Sequence, residues 1–92
     1  MDFLAPAAPT PLRTASATLR FGMERAGHAR LELFDALGRR VRTLFDAEAA
    51  AGEHRVVLER VGRDGIPLSP GLYLARLETA RFRATRRIVV VD

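Results

Sequence analysis

Ninety-two residues make one domain with a single modest core, and a hydrophobic content of 48% marks a chain that folds. The absence of cysteine excludes disulfide staples, thiolate catalysis and Cys-based zinc sites. A formal charge of +4 rests on fifteen basic residues, every one an arginine; most occupy the polar half of strand alternations, and with 7% aromatics there is little to stack bases, so no nucleic-acid partner is expected.

The longest apolar run, Ile88-Val89-Val90-Val91, has strand length and falls far short of the ~18 residues of a membrane span. The start, Met1-Asp2-Phe3-Leu4-Ala5-Pro6, lacks the basic opening and long apolar stretch of a signal peptide. In an exported parent this chain would be a piece of its end, with Met1 an artificial start. Residues 1–12, with three prolines among alanines from Ala5 to Pro11, are expected to be a linker, and residues 13–92 the folded module.

Ala15, Ala17, Leu19 and Phe21 alternate with polar residues and predict a half-buried first strand. Gly27 is expected to turn the chain into a strand with Ala29, Leu31 and Leu33 on one face. Asp35-Ala36-Leu37-Gly38 predicts a tight reversal, with Asp35 bonding backbone ahead of it and Gly38 at positive φ. A strand from Arg40 to Phe45 follows. Asp46 to Ala51 has helix propensity but is too short to be stable alone, and predicts a loop with at most one helical turn, closed by Gly52.

His54, Val56 and Leu58 predict one face of the next strand. Gly62-Arg63-Asp64-Gly65 is dense in turn formers, and Pro67 confines any short strand there to a sheet edge. Pro70-Gly71 suits the central pair of a type II turn, launching a strand from Leu72 to Thr79 whose inward face periodicity leaves open. A hairpin through Ala80-Arg81 returns along Phe82 to Val91. About seven short strands with no helix predict an all-β, Ig-like antiparallel β-sandwich. Leu19, Phe21, Leu31, Leu33, Val41, Val56, Leu58, Leu74, Ile88 and Val90 are the expected core.

Sites for chemistry are sparse. His28 and His54 lie on different strands without a ligand partner, and the Gly62–Gly65 turn offers one carboxylate where a calcium loop uses several. Ser16 and Ser69 sit in no nucleophile elbow, and the glycines form no phosphate loop. Asp35 could pair with Glu59 or Asp64, though turn capping explains Asp35 and Asp64. No catalytic, cofactor-binding or metal-binding residue is expected, and no cofactor. The end of the chain is less ordinary: Arg86 and Arg87 lead into Ile88, Val89 and Val90, a basic pair beside an apolar strand that a partner can read by charge and strand addition.

In order and spacing, these segments resemble the C-terminal sorting domain of type IX secretion cargo, of the type related to the Ig-like module of flagellar hook-capping proteins. Leu33-Phe34-Asp35-Ala36-Leu37-Gly38-Arg39-Arg40-Val41 matches a Val-Tyr-Asp-x-x-Gly-Arg-x-Val signature, and Gly52, His54 and Val56 match Gly-x-His-x-Val. Gly65, Pro67, Gly71 and Tyr73 match Gly-x-Pro-x-x-x-Gly-x-Tyr, and Arg87-Ile88-Val89 stands for the final Lys-Met-Val-type strand. The family's tryptophan is replaced by Leu58 and its Trp-Asp-Gly by Leu58-Glu59-Arg60.

The resemblance implies a non-catalytic export module of a larger secreted protein. It would pass through the periplasm to the cell surface, with secretion translocon and sortase-like peptidase components as partners. The rival expectation is an Ig-like accessory domain packed against a neighbouring domain of its parent. A glycan-binding module would need exposed aromatics on a sheet face, whereas Tyr73 and the five phenylalanines fall mostly in core phase.

Overall fold

The computed structural model describes residues 1–13, 15–62 and 64–92; Thr14 of the expected module and Arg63 of the Gly62–Gly65 turn lie outside the described residues. Among the described residues seven strands follow one another: β1 (Phe3–Leu4), β2 (Ser16–Met23), β3 (Gly27–Asp35), β4 (Arg40–Ala49), β5 (Gly52–Glu59), β6 (Gly71–Thr79) and β7 (Arg83–Val90). They form two antiparallel sheets, ordered β1-β2-β5 and β4-β3-β6-β7. Among the described residues the chain crosses between sheets at β2–β3, β4–β5 and β5–β6 and stays within one sheet at β1–β2, β3–β4 and β6–β7; this is an Ig-like sandwich.

Alternation builds the core. Ala17, Leu19, Phe21 and Met23 of β2 face Ala29, Leu31 and Leu33 of β3, and Leu58, Ile88 and Val90 complete the layer. Tyr73, Ala75 and Leu77 are the buried phase of β6, because Leu33 pairs with Ala75 and Leu31 with Leu77. Leu74, expected inside, therefore lies opposite Phe34 on the outer face, half-buried.

Val41, also expected in the core, is exposed. The β3–β4 register shifts twice, so that Leu33 pairs with Arg42 and Phe34 with Arg40, leaving Val41 as the extra residue of a bulge. A bulge breaks the two-residue period on which the expectation rested.

Four further expectations are corrected. Asp46 to Ala49 is neither loop nor helical turn but the end of β4, paired with β3 from Arg30 to Gly27. Weak helix propensity yields there to ladder hydrogen bonds. The chain reverses at Glu24–Ala26, so Gly27 opens β3 rather than forming the turn, and Ala15 lies before β2. Gly71 has the positive φ expected of it, but at 151° it opens β6 and is far from the ~80° of a type II turn.

The largest correction concerns residues 1–12, expected to be a linker. Phe3 and Leu4 pair with Gly22 and Phe21, and Ala8 bridges Thr18 of the same sheet. Leu12 then bridges Val90 of the other sheet. Leu4, Ala7 and Leu12 are buried, while Pro6 and Pro9 are exposed. Proline and alanine suggested a solvated spacer, yet a proline is tolerated at a sheet edge where its missing N–H faces water. Gly22 admits the Phe3 ring, which a Cβ there would meet at 2.2 Å.

The seam made by residues 1–12 is testable. Leu12→Ala should cost about 2–5 kcal/mol in urea unfolding, as should Leu33→Ala, whereas Val41→Ala should stay within about 0.5 kcal/mol. A Leu12→Ala variant as stable as wild type would show the segment to be unattached in solution.

Candidate functional site

The resemblance residues divide between the two ends of the sandwich. Asp35, Pro67, Gly71 and Tyr73 converge on one cleft of about 470 Å³ at the end where β3 meets β4 and β6 begins. Gly38 and Gly65 belong to the turns bordering it, with φ of 84° and 77°. Gly52, at φ 118°, is at the opposite end, opening β5 after the β4–β5 turn.

Each wall of the cleft is a turn closed by its own polar groups. The Asp35 carboxylate accepts the Leu37 and Arg39 N–H groups at 2.9 and 3.0 Å and the Arg39 Nε at 2.9 Å. The Arg39 backbone N–H above all, with its guanidinium and the Leu37 N–H, holds this carboxyl below the usual carboxylate range. Gly38 donates its N–H to the Asp35 carbonyl, and its positive φ is one a β-carbon would strain. Asp64 accepts the Ile66 N–H at 2.9 Å.

Tyr73 sits near the start of β6 and donates its hydroxyl to the Ser69 carbonyl at 2.7 Å, the tyrosine corner of Ig-like sandwiches. Two arginines that sequence reasoning did not single out pin the β5–β6 connection. Arg42 donates to the carbonyls of Arg60 at 3.0 Å and Ile66 at 3.2 Å, and also to that of Glu59. Arg60 donates to the carbonyls of Leu68 and Val91 and to the Asp92 carboxylate. No local pattern marks them, because their acceptors, mostly main-chain oxygens, lie eight to thirty-two residues along the chain.

With both carboxylates occupied, the cleft presents apolar side chains: Leu37 is 79% and Ile66 64% exposed at its rim. Among the described residues no group of three or more His, Cys, Asp or Glu is placed to hold a metal ion. His54 stacks on Phe21 with ring centroids 5.1 Å apart and hydrogen bonds the Ala50 carbonyl. His28 is exposed beside Asp46 at 2.6 Å.

The terminal strand is less open than expected. Ile88 and Val90 are core residues. The edge of β7 is occupied at this end, where Leu12 donates to the Val89 carbonyl at 2.7 Å and accepts from the Val91 N–H at 3.1 Å. Arg86 and Arg87 point to opposite faces, as the strand period requires. Arg86 lies opposite Ala75 and donates its Nε to the Leu4 carbonyl at 2.6 Å. That leaves Arg87 and Val89 on the outer face of the larger sheet, with Arg87 opposite Leu74.

This outer face carries an ion-pair network built on Glu32, which is only 5% exposed. Arg40 and Arg30 reach its carboxylate at 3.1 and 3.3 Å, and Arg76 lies 3.9 Å away with its guanidinium 4.5 Å over Phe34. Glu78 lies between Arg83 and Arg30, and their hydrogen bonds hold its carboxyl below the usual range. Glu32 was legible only as a polar residue in phase; its burial follows from the long side chains of three strands closing over it.

No family model matches the chain, and no curated protein does. Among solved structures, a stretch of PorZ, an essential bacterial surface component of the type-IX secretion system of Porphyromonas gingivalis, matches with a TM-score of 0.62 at 21% identity. The match covers 99% of this chain but 11% of that one. The Ig1 domain of mouse SynCAM 2 aligns with a TM-score of 0.42 at 11% identity, over 94% of this chain and 95% of that domain. The PorZ likeness shows a shared fold.

Two measurements probe these networks. The Asp35 and Glu78 carboxyls are depressed on folding, so the stability they lend is complete above the ordinary carboxylate range and lost as pH falls through their folded values. The melting temperature should therefore fall on acidification, and less steeply in Asp35→Asn; an identical pH profile for that variant would show the turn contributes nothing. Glu32→Gln should cost about 1–3 kcal/mol, more than Glu59→Gln, since its charged hydrogen bonds are shielded from water. Equal unfolding midpoints would contradict this.

Proposed function

We propose that the chain is a non-catalytic sorting module that directs a larger secreted protein through type IX secretion to the cell surface. The observation that carries this reading is the placement of the resemblance residues: Asp35 and Gly38 close one turn, His54 stacks on the core, and Tyr73 makes the corner bond. The motif thus describes a working Ig-like frame, and a stretch of a type IX secretion component shares that fold over nearly the whole chain. On this reading the translocon and a sortase-like peptidase are its partners. The surface offered to them is the outer face of β7, through Arg87 and Val89, since Ile88 and Val90 are committed to the core.

A second reading, an accessory domain packed against a neighbour in its parent, is favoured by the exposed Leu37 and Ile66 around the end cleft.

The test fuses the chain to the end of a reporter in a bacterium with type IX secretion. Wild type should reach the cell surface. Arg87→Ala should melt within about 0.5 kcal/mol of wild type yet deliver less reporter, whereas Arg86→Ala should lower stability by loosening Leu4. Retention of the wild-type fusion in the periplasm would reject sorting in favour of the accessory-domain reading. Undiminished delivery of Arg87→Ala would remove that residue from recognition.

A further inference from the structure

Four strands end the two sheets, and three carry a device that discourages pairing. β1 is two residues long. β4 is bulged twice against β3. β7 has Leu12 bonded to the outward groups of Val89 and Val91. β5 lacks these devices: it pairs with β2 along all eight residues without a shift and contains no proline, though Arg42 reaches its free edge at the Glu59 carbonyl.

Its phase is set by the Arg60 N–H, which donates to the Ala15 carbonyl at 2.7 Å. Backbone groups of Gly52, His54, Val56 and Leu58 therefore face β2, and those of Glu53, Arg55, Val57 and Glu59 face away from it. These four residues are exposed, Val57 at 55%. Arg42 occupies one lone pair of the Glu59 carbonyl, which retains another.

We propose that two copies of the chain associate through this edge, their β5 strands antiparallel about a two-fold axis at Val57, so that the two β1-β2-β5 sheets become one continuous sheet. The charges select both the occupant and the register. Centred on Val57, the pairing sets the two exposed valines against each other and places Arg55 of each copy opposite Glu59 of the other. Centring on Arg55 opposes two arginines, and centring on Val56 opposes Glu53 to Glu59. Centring on His54 pairs Arg55 with Glu53, but Glu53 already holds Arg20 at 3.1 Å. Glu59 makes no ion pair among the described residues, and Arg55 has only a 3.8 Å contact with Glu53; the Val57 register gives both a partner. The contact is short, so the dimer is concentration-dependent.

This inference is independent of the export reading. Sedimentation of the 92-residue chain up to about 1 mM should show the mass rising from monomer towards dimer. Val57→Lys should weaken association about tenfold or more with an unchanged circular dichroism spectrum and melting temperature. Arg55→Glu alone opposes two carboxylates and Glu59→Arg alone opposes two arginines, so each should be monomeric. An equimolar mixture of the two restores both pairs and should dimerise as wild type does. A wild-type chain that stays monomeric throughout, Val57→Lys dimerising as wild type, or a mixture that stays monomeric while wild type dimerises would each overturn the proposal.

Discussion

Two sheets stacked face to face share no hydrogen-bond ladder, so their relation rests on the side chains between them. Here that layer is built almost entirely of aliphatic residues, with Phe21 its largest fully buried member. A domain of this size has few such side chains to spare. Its open sides must be closed by whatever chain is left over, and much of the remaining structure answers that need. Residues 1–12 run from the edge of β2 to the edge of β7 and insert Leu4, Ala7 and Leu12 into the gap. Phe45 and His54 pack on Phe21 from the opposite side.

Arginine is the second material of this fold. With no lysine in the chain, every cationic side chain has a planar head with several fixed donors, suited to bridging carbonyl oxygens or carboxylates. Arg42 and Arg60 use it to fasten the β5–β6 connection and the last residues to the body of the sandwich. Arg30, Arg40 and Arg76 use it to enclose Glu32. A basic composition that would suggest a polyanion partner is thus partly spent on internal acceptors.

The same economy leaves distinct surfaces for other molecules. Turns whose carboxylates serve their own backbone leave an apolar-rimmed cleft at one end. The outer face of β7 presents Arg87 and Val89, and β5 presents a regular edge strand. Sorting, packing against a neighbour and self-association would each use a different one of these, so a single rigid frame can serve more than one contact.

Alternation and turn chemistry were legible in the residues alone. The inward faces of β2, β3 and β5, the Asp35–Gly38 reversal and the β6–β7 hairpin all follow from neighbours a few positions apart, where steric and hydrogen-bond rules act locally. What local rules could not reach is what depends on distant partners. The bulges that expel Val41 and the register that turns Leu74 outward are properties of pairing between strands. Pairing with β3 holds Asp46 to Ala49 extended, and the space above Gly22 seats Phe3. The linker expectation failed for the same reason: alanine and proline carry no period, and only the position of Leu12 beside Val90 makes that segment part of the core. Composition likewise counted the arginines, but only the tertiary structure decided which bind main chain, which enclose Glu32 and which, like Arg87, remain at the surface, because a long side chain finds its acceptor in space rather than in sequence.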